Sequence, residues 1–354
     1  MSNALRFGLI GCGSQGRYLS EAASITGQAE LCACADVNPE AAQRAVALNG
    51  YAKAYDDYRE MLAAERLAAV IVATTHDQLQ PVAMAAVEAG VHALVEKPMA
   101  LTAADGRALV EAARARGVKI AVGYTLRFMP ERVHMKKLLE EGAVGDLAHV
   151  FAGQLIGGMG GWLGDRARGG GPLFYIGTHV LDQVLWVVGS RAERVFAEVN
   201  RVAQATSPAD AVEADASVTI RFEGGVVAQV CCSQRMGGRY GWLDVVGSAG
   251  RVRAEWESNC LYVESHRPGA PPYPATIEVP ADAYHPAYSP EATARLTGFR
   301  YIRAWAAELT DFVGAIREDR DPRASGEDGL QVLEITDAVF ESERTGAPVA
   351  LLPH

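Results

Sequence analysis

The sequence predicts an α/β unit with a doubly wound parallel sheet, followed by an α+β unit on an open-faced, mostly antiparallel sheet. Three observations carry this. Over residues 5–123, short apolar runs alternate with stretches rich in Ala, Glu, Arg and Leu, the pattern of buried parallel strands covered by helices on both faces. After Gly123 the pattern changes to long β-like stretches joined by tight turns. The length of 354 residues, at about 100–200 per domain, suits two domains. The expected domains are 1–123 and 124–354, with the C-terminal helix packing back on the first.

In chain order, the strands expected in the first domain are Arg6–Ile10, Glu30–Ala35, Ala69–Ala73, His92–Glu96 and Lys119–Gly123. Helical segments lie between them at Pro39–Leu48, Val82–Ala89 and Ala103–Arg116. A helix at Pro130–Glu141 ends at Gly142, and another spans Pro172–Val188. The long strands are Leu147–Ile156, Arg194–Arg201, Ala216–Phe222, Val226–Ser233, Gly241–Gly247 and Gly250–Glu257. Glu223-Gly224-Gly225 and Ser248-Ala249-Gly250 read as hairpin turns, hence antiparallel pairing. Pro268–Pro274 reads as a loop and Arg300–Ile316 as a helix.

Composition removes several classes of function. Lys plus Arg number 33 against 43 Asp plus Glu, a net charge of −10, which is not the basic footprint of a nucleic-acid binder. The apolar runs fall well short of the roughly 18 residues needed to span a bilayer. The opening MSNALRFGLIG enters a strand at once, so no signal peptide is expected. The six cysteines form no CxxC pair and read as reduced core residues of a cytoplasmic protein, with no metal site.

The first strand runs into Gly11-Cys12-Gly13-Ser14-Gln15-Gly16. In GxGxxG the first Gly permits the tight turn, the second lets backbone approach a pyrophosphate, and the third allows close helix–strand packing. The helix N-terminus supplies N–H donors. Asp36 ends the second strand, where an acid takes the ribose hydroxyls and repels a 2′-phosphate. No Lys or Arg follows at 37–39, so NAD is favoured over NADP. The competing reading makes Asp36 a cap for the helix at Pro39.

Two further places carry ionisable groups. Lys97 follows the strand at His92, at the edge where parallel sheets place ligands. It is one of five lysines beside 28 arginines, and Lys can lose a proton where Arg cannot. Composition alone leaves it equally a surface residue. On a helix starting at Pro172, Tyr175, His179 and Asp182 share one face. That stripe reads either as functional or as polar groups satisfied by nearby backbone.

Together, GxGxxG at 11–16, Asp36, EKP at 96–98, GGGxxxxxGxHxxD at 169–182 and the tail SGEDGLQVLEITDAVFESERTGAPV resemble the glucose–fructose oxidoreductase / inositol dehydrogenase / rhizopine catabolism (Gfo/Idh/MocA) family over essentially the whole chain. The resemblance implies an N-terminal Rossmann domain and a C-terminal open sheet whose exposed face forms homodimers or homotetramers. It also implies NAD(P)-dependent hydride transfer at a hydroxyl of a sugar, cyclitol or related polyol. Lys97 would be the catalytic Lys, Pro98 would follow a cis bond, and His179 would be the catalytic His. Glu96, Thr74 and His76 fall on cofactor-side motifs, and Arg127 lies near nicotinamide or substrate. Three motifs differ from the family pattern: Tyr175 stands where it has Asp, Thr74-Thr75-His76 replaces TPNxxH, and Gly90-Val91-His92 replaces GKH. A neutral Tyr cannot hold a protonated Lys97 as an Asp would.

The resulting expectation is an NAD-dependent sugar or polyol dehydrogenase in which Lys97 or His179 takes the hydroxyl proton. Substrate contacts are expected from Lys97, Arg127, Trp162, Asp165, Arg166, Tyr175, His179 and Asp182. One rival is an NAD-dependent glycoside hydrolase or lyase that oxidises its sugar transiently, with no net redox change. A non-catalytic nucleotide-responsive regulator is the other, disfavoured because Lys97 and His179 are both present.

Overall fold

The computed structural model describes residues 4–158, 160–201, 212–236, 238–256, 258–268, 275–286, 288 and 300–351. The expected loop at Pro268–Pro274 lies outside the described residues from 269 on, as does Glu257.

The first 128 residues contain β1 (Leu5–Ile10), α1 (Ser14–Thr26), β2 (Ala29–Ala35), α2 (Pro39–Asn49), β3 (Lys53–Tyr55) and α3 (Tyr58–Ala64). They continue with β4 (Ala69–Val72), α4 (His76–Glu88), β5 (His92–Val95), α5 (Ala103–Arg116), β6 (Ile120–Val122) and a 3-10 turn at Thr125–Phe128. Next come α6 (Pro130–Glu140), β7 (Leu147–Ile156), a 3-10 turn (Gly161–Gly164), a π-helical turn (Leu173–Gly177) and α7 (Thr178–Val188). The strands β8 (Ala192–Arg201), β9 (Glu213–Phe222), β10 (Val227–Ser233), β11 (Arg239–Gly247), β12 (Gly250–Glu255), β13 (Cys260–Ser265) and β14 (Ala275–Glu278) follow. Then come α8 (Arg300–Glu318), α9 (Gly326–Thr345) and β15 (Val349–Ala350).

The chain forms two compact units, and a single cut after Gly123 does not separate them. One unit is 1–128 with 285–330, the other 129–284 with 331–354. Residues 285–330 thus belong to the first unit, and the reason is packing. Ala121 of β6 bridges to Ser325, and the Val122 N–H donates to the Ala324 carbonyl at 2.9 Å. Phe312 of α8 meets Phe7 edge-on at 6.2 Å, and Trp305 stacks on Tyr18 at 5.4 Å.

In the first unit the sheet runs β3-β2-β1-β4-β5-β6, all pairs parallel. The strand order reverses at β1, so the crevice at the C-terminal ends of β1 and β4 is where such sheets bind ligands. β4 is buried throughout, as a strand covered on both faces must be. Helix ends are written locally: Asn38 accepts from the Glu40 N–H to cap α2 at 3.0 Å, Pro39 fills its first position, and Gly50 ends it at φ 79°.

The second unit's sheet runs β14-β13-β12-β11-β7-β10-β9-β8-β15. Every pair is antiparallel except β7–β10. Along β9, Ala216, Val218, Ile220 and Phe222 point inward while Ser217, Thr219 and Arg221 point outward, the period-two pattern of a half-covered sheet. α6 and α7 pack on the sheet. Its open face carries a shallow depression of about 460 Å³ lined by Phe151, Phe196, Thr219, Gln229, Cys231 and Trp242. Among the described residues no helix is long and apolar enough to cross a membrane.

Candidate active site

In the first unit the glycine loop leaves β1 at the strand-order reversal. Gly11 has φ 96°, and a Cβ there would sit 2.4 Å from the Ala73 carbonyl oxygen. A Cβ on Gly16 would sit 2.0 Å from the Gly11 oxygen. Both glycines are demanded by the protein itself. Gly13 differs: a Cβ there would meet no protein atom within 4 Å. Its lack of a side chain leaves room for a group from outside, as the backbone approach of a pyrophosphate requires. α1 starts at Ser14 with no acid in its first turn, so the N–H groups of Ser14, Gln15 and Gly16 keep their favourable field for an anion.

Asp36 is held at the end of β2 rather than capping α2, a role taken by Asn38. Its two oxygens accept the Cys12 N–H at 2.7 Å and the Asn38 N–H at 2.8 Å. The glycine loop and Asp36 are therefore one hydrogen-bonded piece. Val37 beside it is 91% exposed and carries no charge. These features fit a nucleotide such as NAD.

Glu96 and Lys97 follow β5 and are only 7% and 9% exposed. Gln15 of the glycine loop donates to Glu96 Oε1 at 2.7 Å, and the Lys97 backbone N–H donates to Oε2 at 3.1 Å. Burial pushes the Glu96 carboxyl up, opposed by the charge of Lys97 and by the hydrogen bond from Gln15. The Lys97–Pro98 peptide is cis. Thr74 follows β4 at the loop that Gly11 touches, and His76 opens α4, buried.

Arg127 sits in the 3-10 turn, 2% exposed. Its guanidinium donates to the Arg323 carbonyl at 2.7 Å and to Asp328 Oδ1 at 3.0 Å. Asp328 Oδ2 accepts from the N–H and Oγ of Ser325, capping α9. A Cβ on Gly329 would lie 2.7 Å from Met99 Sδ. The SGEDG segment thus braces both Arg127 and the chain two residues beyond Lys97. Its placement gives Arg127 internal partners instead of an open guanidinium.

In the second unit the glycine tract 169–171 leads into the π turn and α7. The expected helix over Pro172–Val188 forms, but its first part is π-helical, an insertion common at functional sites. Tyr175 lies in that turn and His179 in the first turn of α7; both are partly buried, and Asp182 is fully buried. The Gln183 amide donates to the His179 carbonyl at 3.2 Å.

The preceding loop is organised around Asp165. Its Oδ1 accepts the Ala167 N–H at 2.9 Å and its carbonyl accepts the N–H groups of Gly169 and Gly170. Trp162 lies in the 3-10 turn before it, partly buried. Arg166 packs its guanidinium over Phe340 at 4.7 Å and lies 3.8 Å from Glu213 Oε2. Glu213 was not foreseen: at the head of a strand it looks like any exposed strand acid, and its partners lie some 40 residues away in sequence.

Comparison with known proteins agrees with this architecture. A family model described as "Oxidoreductase family, NAD-binding Rossmann fold" matches residues 5–124. Another, "GFO/IDH/MocA C-terminal domain", matches 133–253. The chain is 30% identical to a D-apiose dehydrogenase of Paraburkholderia graminis, over 97% of this chain and 88% of that one. It is 28% identical to an inositol 2-dehydrogenase of Rhizobium meliloti, over 96% of each. A solved structure of levoglucosan dehydrogenase in complex with NADH and levoglucosan superposes with a TM-score of 0.88 at 26% identity, covering 98% of this chain and 99% of that one.

Proposed function

This chain belongs to the Gfo/Idh/MocA oxidoreductase family, and from that membership we propose that it is an NAD-dependent dehydrogenase acting on a hydroxyl of a sugar, sugar derivative or cyclitol. The observation that carries the reading is the tie between Lys97 and the nucleotide loop. A buried Lys able to trade a proton follows Glu96, which is itself hydrogen-bonded to Gln15 of the glycine loop. Relatives named for apiose, inositol and levoglucosan support the substrate class.

The glycine loop, the N-terminus of α1 and Asp36 would hold the dinucleotide, which when bound supplies the hydride acceptor. The chain's own residues must handle the proton. As charge develops on the substrate oxygen, Lys97 or His179 accepts the hydroxyl proton and the other polarises the oxygen. The Tyr175 hydroxyl, able to donate and to accept, offers a hydrogen bond to His179 or to a substrate hydroxyl. A panel of sugars, anhydrosugars and cyclitols incubated with NAD tests the reading: at least one must yield NADH, and none doing so would reject it.

The cofactor should be NAD. A 2′-phosphate would face the fixed Asp36 carboxylate, and like charges brought together cost on the order of several kcal/mol. NAD should exceed NADP in kcat/KM by at least about tenfold, and Asp36→Ala combined with Val37→Arg should erode that margin. Equal use of NADP by the unmodified protein would count against the assignment.

The protein should also be a homo-oligomer built on the open sheet face. Phe151, 38% exposed, and its aromatic neighbours form an apolar patch on a sheet face of the kind that marks an interface. Light scattering should give a multiple of 37.7 kDa, and Phe151→Glu should shift it toward the single-chain mass. A wild-type protein of single-chain mass at micromolar concentration would contradict this.

A further inference from the structure

The chemistry above makes no use of Glu213. It is fully buried at the head of β9, an unusual position for a carboxylate. Oε1 accepts the Leu173 N–H, the first of the π turn, at 2.7 Å. Both oxygens would lie 2.8 Å from a Cβ on Gly171, whose φ is 91°. Oε2 lies 3.8 Å from Arg166 Nη1. Arg166 in turn covers Phe340, which stacks at 5.9 Å on Phe174 of the π turn. Burial pushes the Glu213 carboxyl up, opposed by backbone N–H donors and by Arg166 and Arg201.

One carboxylate therefore joins four pieces of chain: β9, the glycine tract, the π turn and the loop at 161–168. An ion pair with one buried partner, Glu213, and one partly exposed, Arg166, is poor at adding stability, since apolar residues of similar volume often do as well. What this pair does supply is geometry. Gly171 is backed onto the carboxylate so closely that no side chain fits. The first N–H of the π turn is aimed at it, and the loop is drawn onto the same group by the charge of Arg166.

We infer that Glu213 and Arg166 are positioning residues whose pairing fixes the glycine tract and the π turn, so that Tyr175 and His179 are presented in one geometry. This rests on the dehydrogenase reading for its kinetic consequence. It replaces the expectation that Arg166 contacts substrate. Gln at 213 could still accept from the Leu173 N–H but could not pair with Arg166, so Glu213→Gln tests the charge at nearly constant volume.

The experiment compares wild type, Glu213→Gln, Arg166→Met and the double variant in kcat, KM, NADH affinity, Tm and hydrogen exchange of segment 161–179. Misplacing a reacting group by about 1 Å can cost on the order of 10²-fold in rate. Each single variant should therefore lose about ten- to a hundredfold in kcat, with a smaller change in KM and NADH affinity within about twofold. Tm should fall in Arg166→Met, which leaves the buried Glu213 carboxylate without its cation, and recover in the double variant, where neither charge remains. The double variant should be no worse than the poorer single, since paired residues are not additive. Exchange in 161–179 should quicken while that of the first unit stays unchanged. Wild-type kcat and wild-type exchange in both single variants would overturn the inference. So would a fall in kcat that merely follows losses of Tm and NADH affinity. If wild type oxidises no sugar or cyclitol, the dehydrogenase reading fails, and the exchange measurement alone still decides whether the pair holds this segment.

Discussion

Lys97→Ala should lower kcat on the identified substrate by about 10²–10⁴-fold, the usual contribution of a positioned acid or base, with NADH affinity nearly intact. Removing the ammonium leaves the loop in place, because Glu96 is held by Gln15 and by the Lys97 backbone N–H, neither of which the substitution touches. The loss should fall on turnover, since a proton acceptor is needed only as charge develops on the substrate oxygen. His179→Ala should behave alike, and the double variant should be little worse than the poorer single, as expected of groups acting as a unit. Tyr175→Phe keeps the ring and removes one hydroxyl, so its loss should be smaller. Tyr175→Asp asks whether an acid at this position works here. Steady-state kinetics with NADH titration checks all five variants, and full activity in both Lys97→Ala and His179→Ala would show that the chemistry is placed wrongly.

The second large effect divides two glycines of the nucleotide loop, Gly13 and Gly16. Gly13→Ala should leave Tm within about 1 °C and weaken NADH binding by at least about tenfold. The new methyl meets no protein atom and occupies only the space a pyrophosphate needs. Gly16→Ala should instead destabilise the first unit by several degrees and also lose NADH, because its Cβ would overlap the Gly11 carbonyl oxygen at 2.0 Å. Thermal unfolding with and without NADH separates the two cases. If Gly13→Ala binds NADH as well as wild type does, the loop is not the pyrophosphate site.

The nucleotide half was legible in the sequence because its determinants are local. GxGxxG, the apolar strands and the acid at the end of β2 all lie within a few residues of the turn they shape. What escaped was short or non-local. β3 has three residues and β15 two, too few for a period to show. The π turn hides inside an ordinary helical pattern, since its extra residue changes the hydrogen-bond partner and not the residue types. Arg127 sits beside a motif that suggested substrate, yet its carboxylate partner is Asp328, 201 residues on. Asp36 also admits a reading as the cap of α2, and its bond to the Cys12 N–H separates it from Asn38 in role. Arg166 reads in the sequence as a substrate contact, and Glu213 carries no signal there. Which buried charges meet is decided by tertiary packing and leaves no spacing to read.

The central claim is net oxidation of a sugar or cyclitol hydroxyl by NAD, and stoichiometry tests it most directly. Each carbohydrate that changes in the presence of enzyme and NAD would be quantified alongside NADH. One NADH per oxidised carbohydrate, with the ketone or lactone as product, is the predicted result. Product formed by elimination or hydrolysis, with enzyme-bound nucleotide cycling and no NADH accumulating, would contradict it.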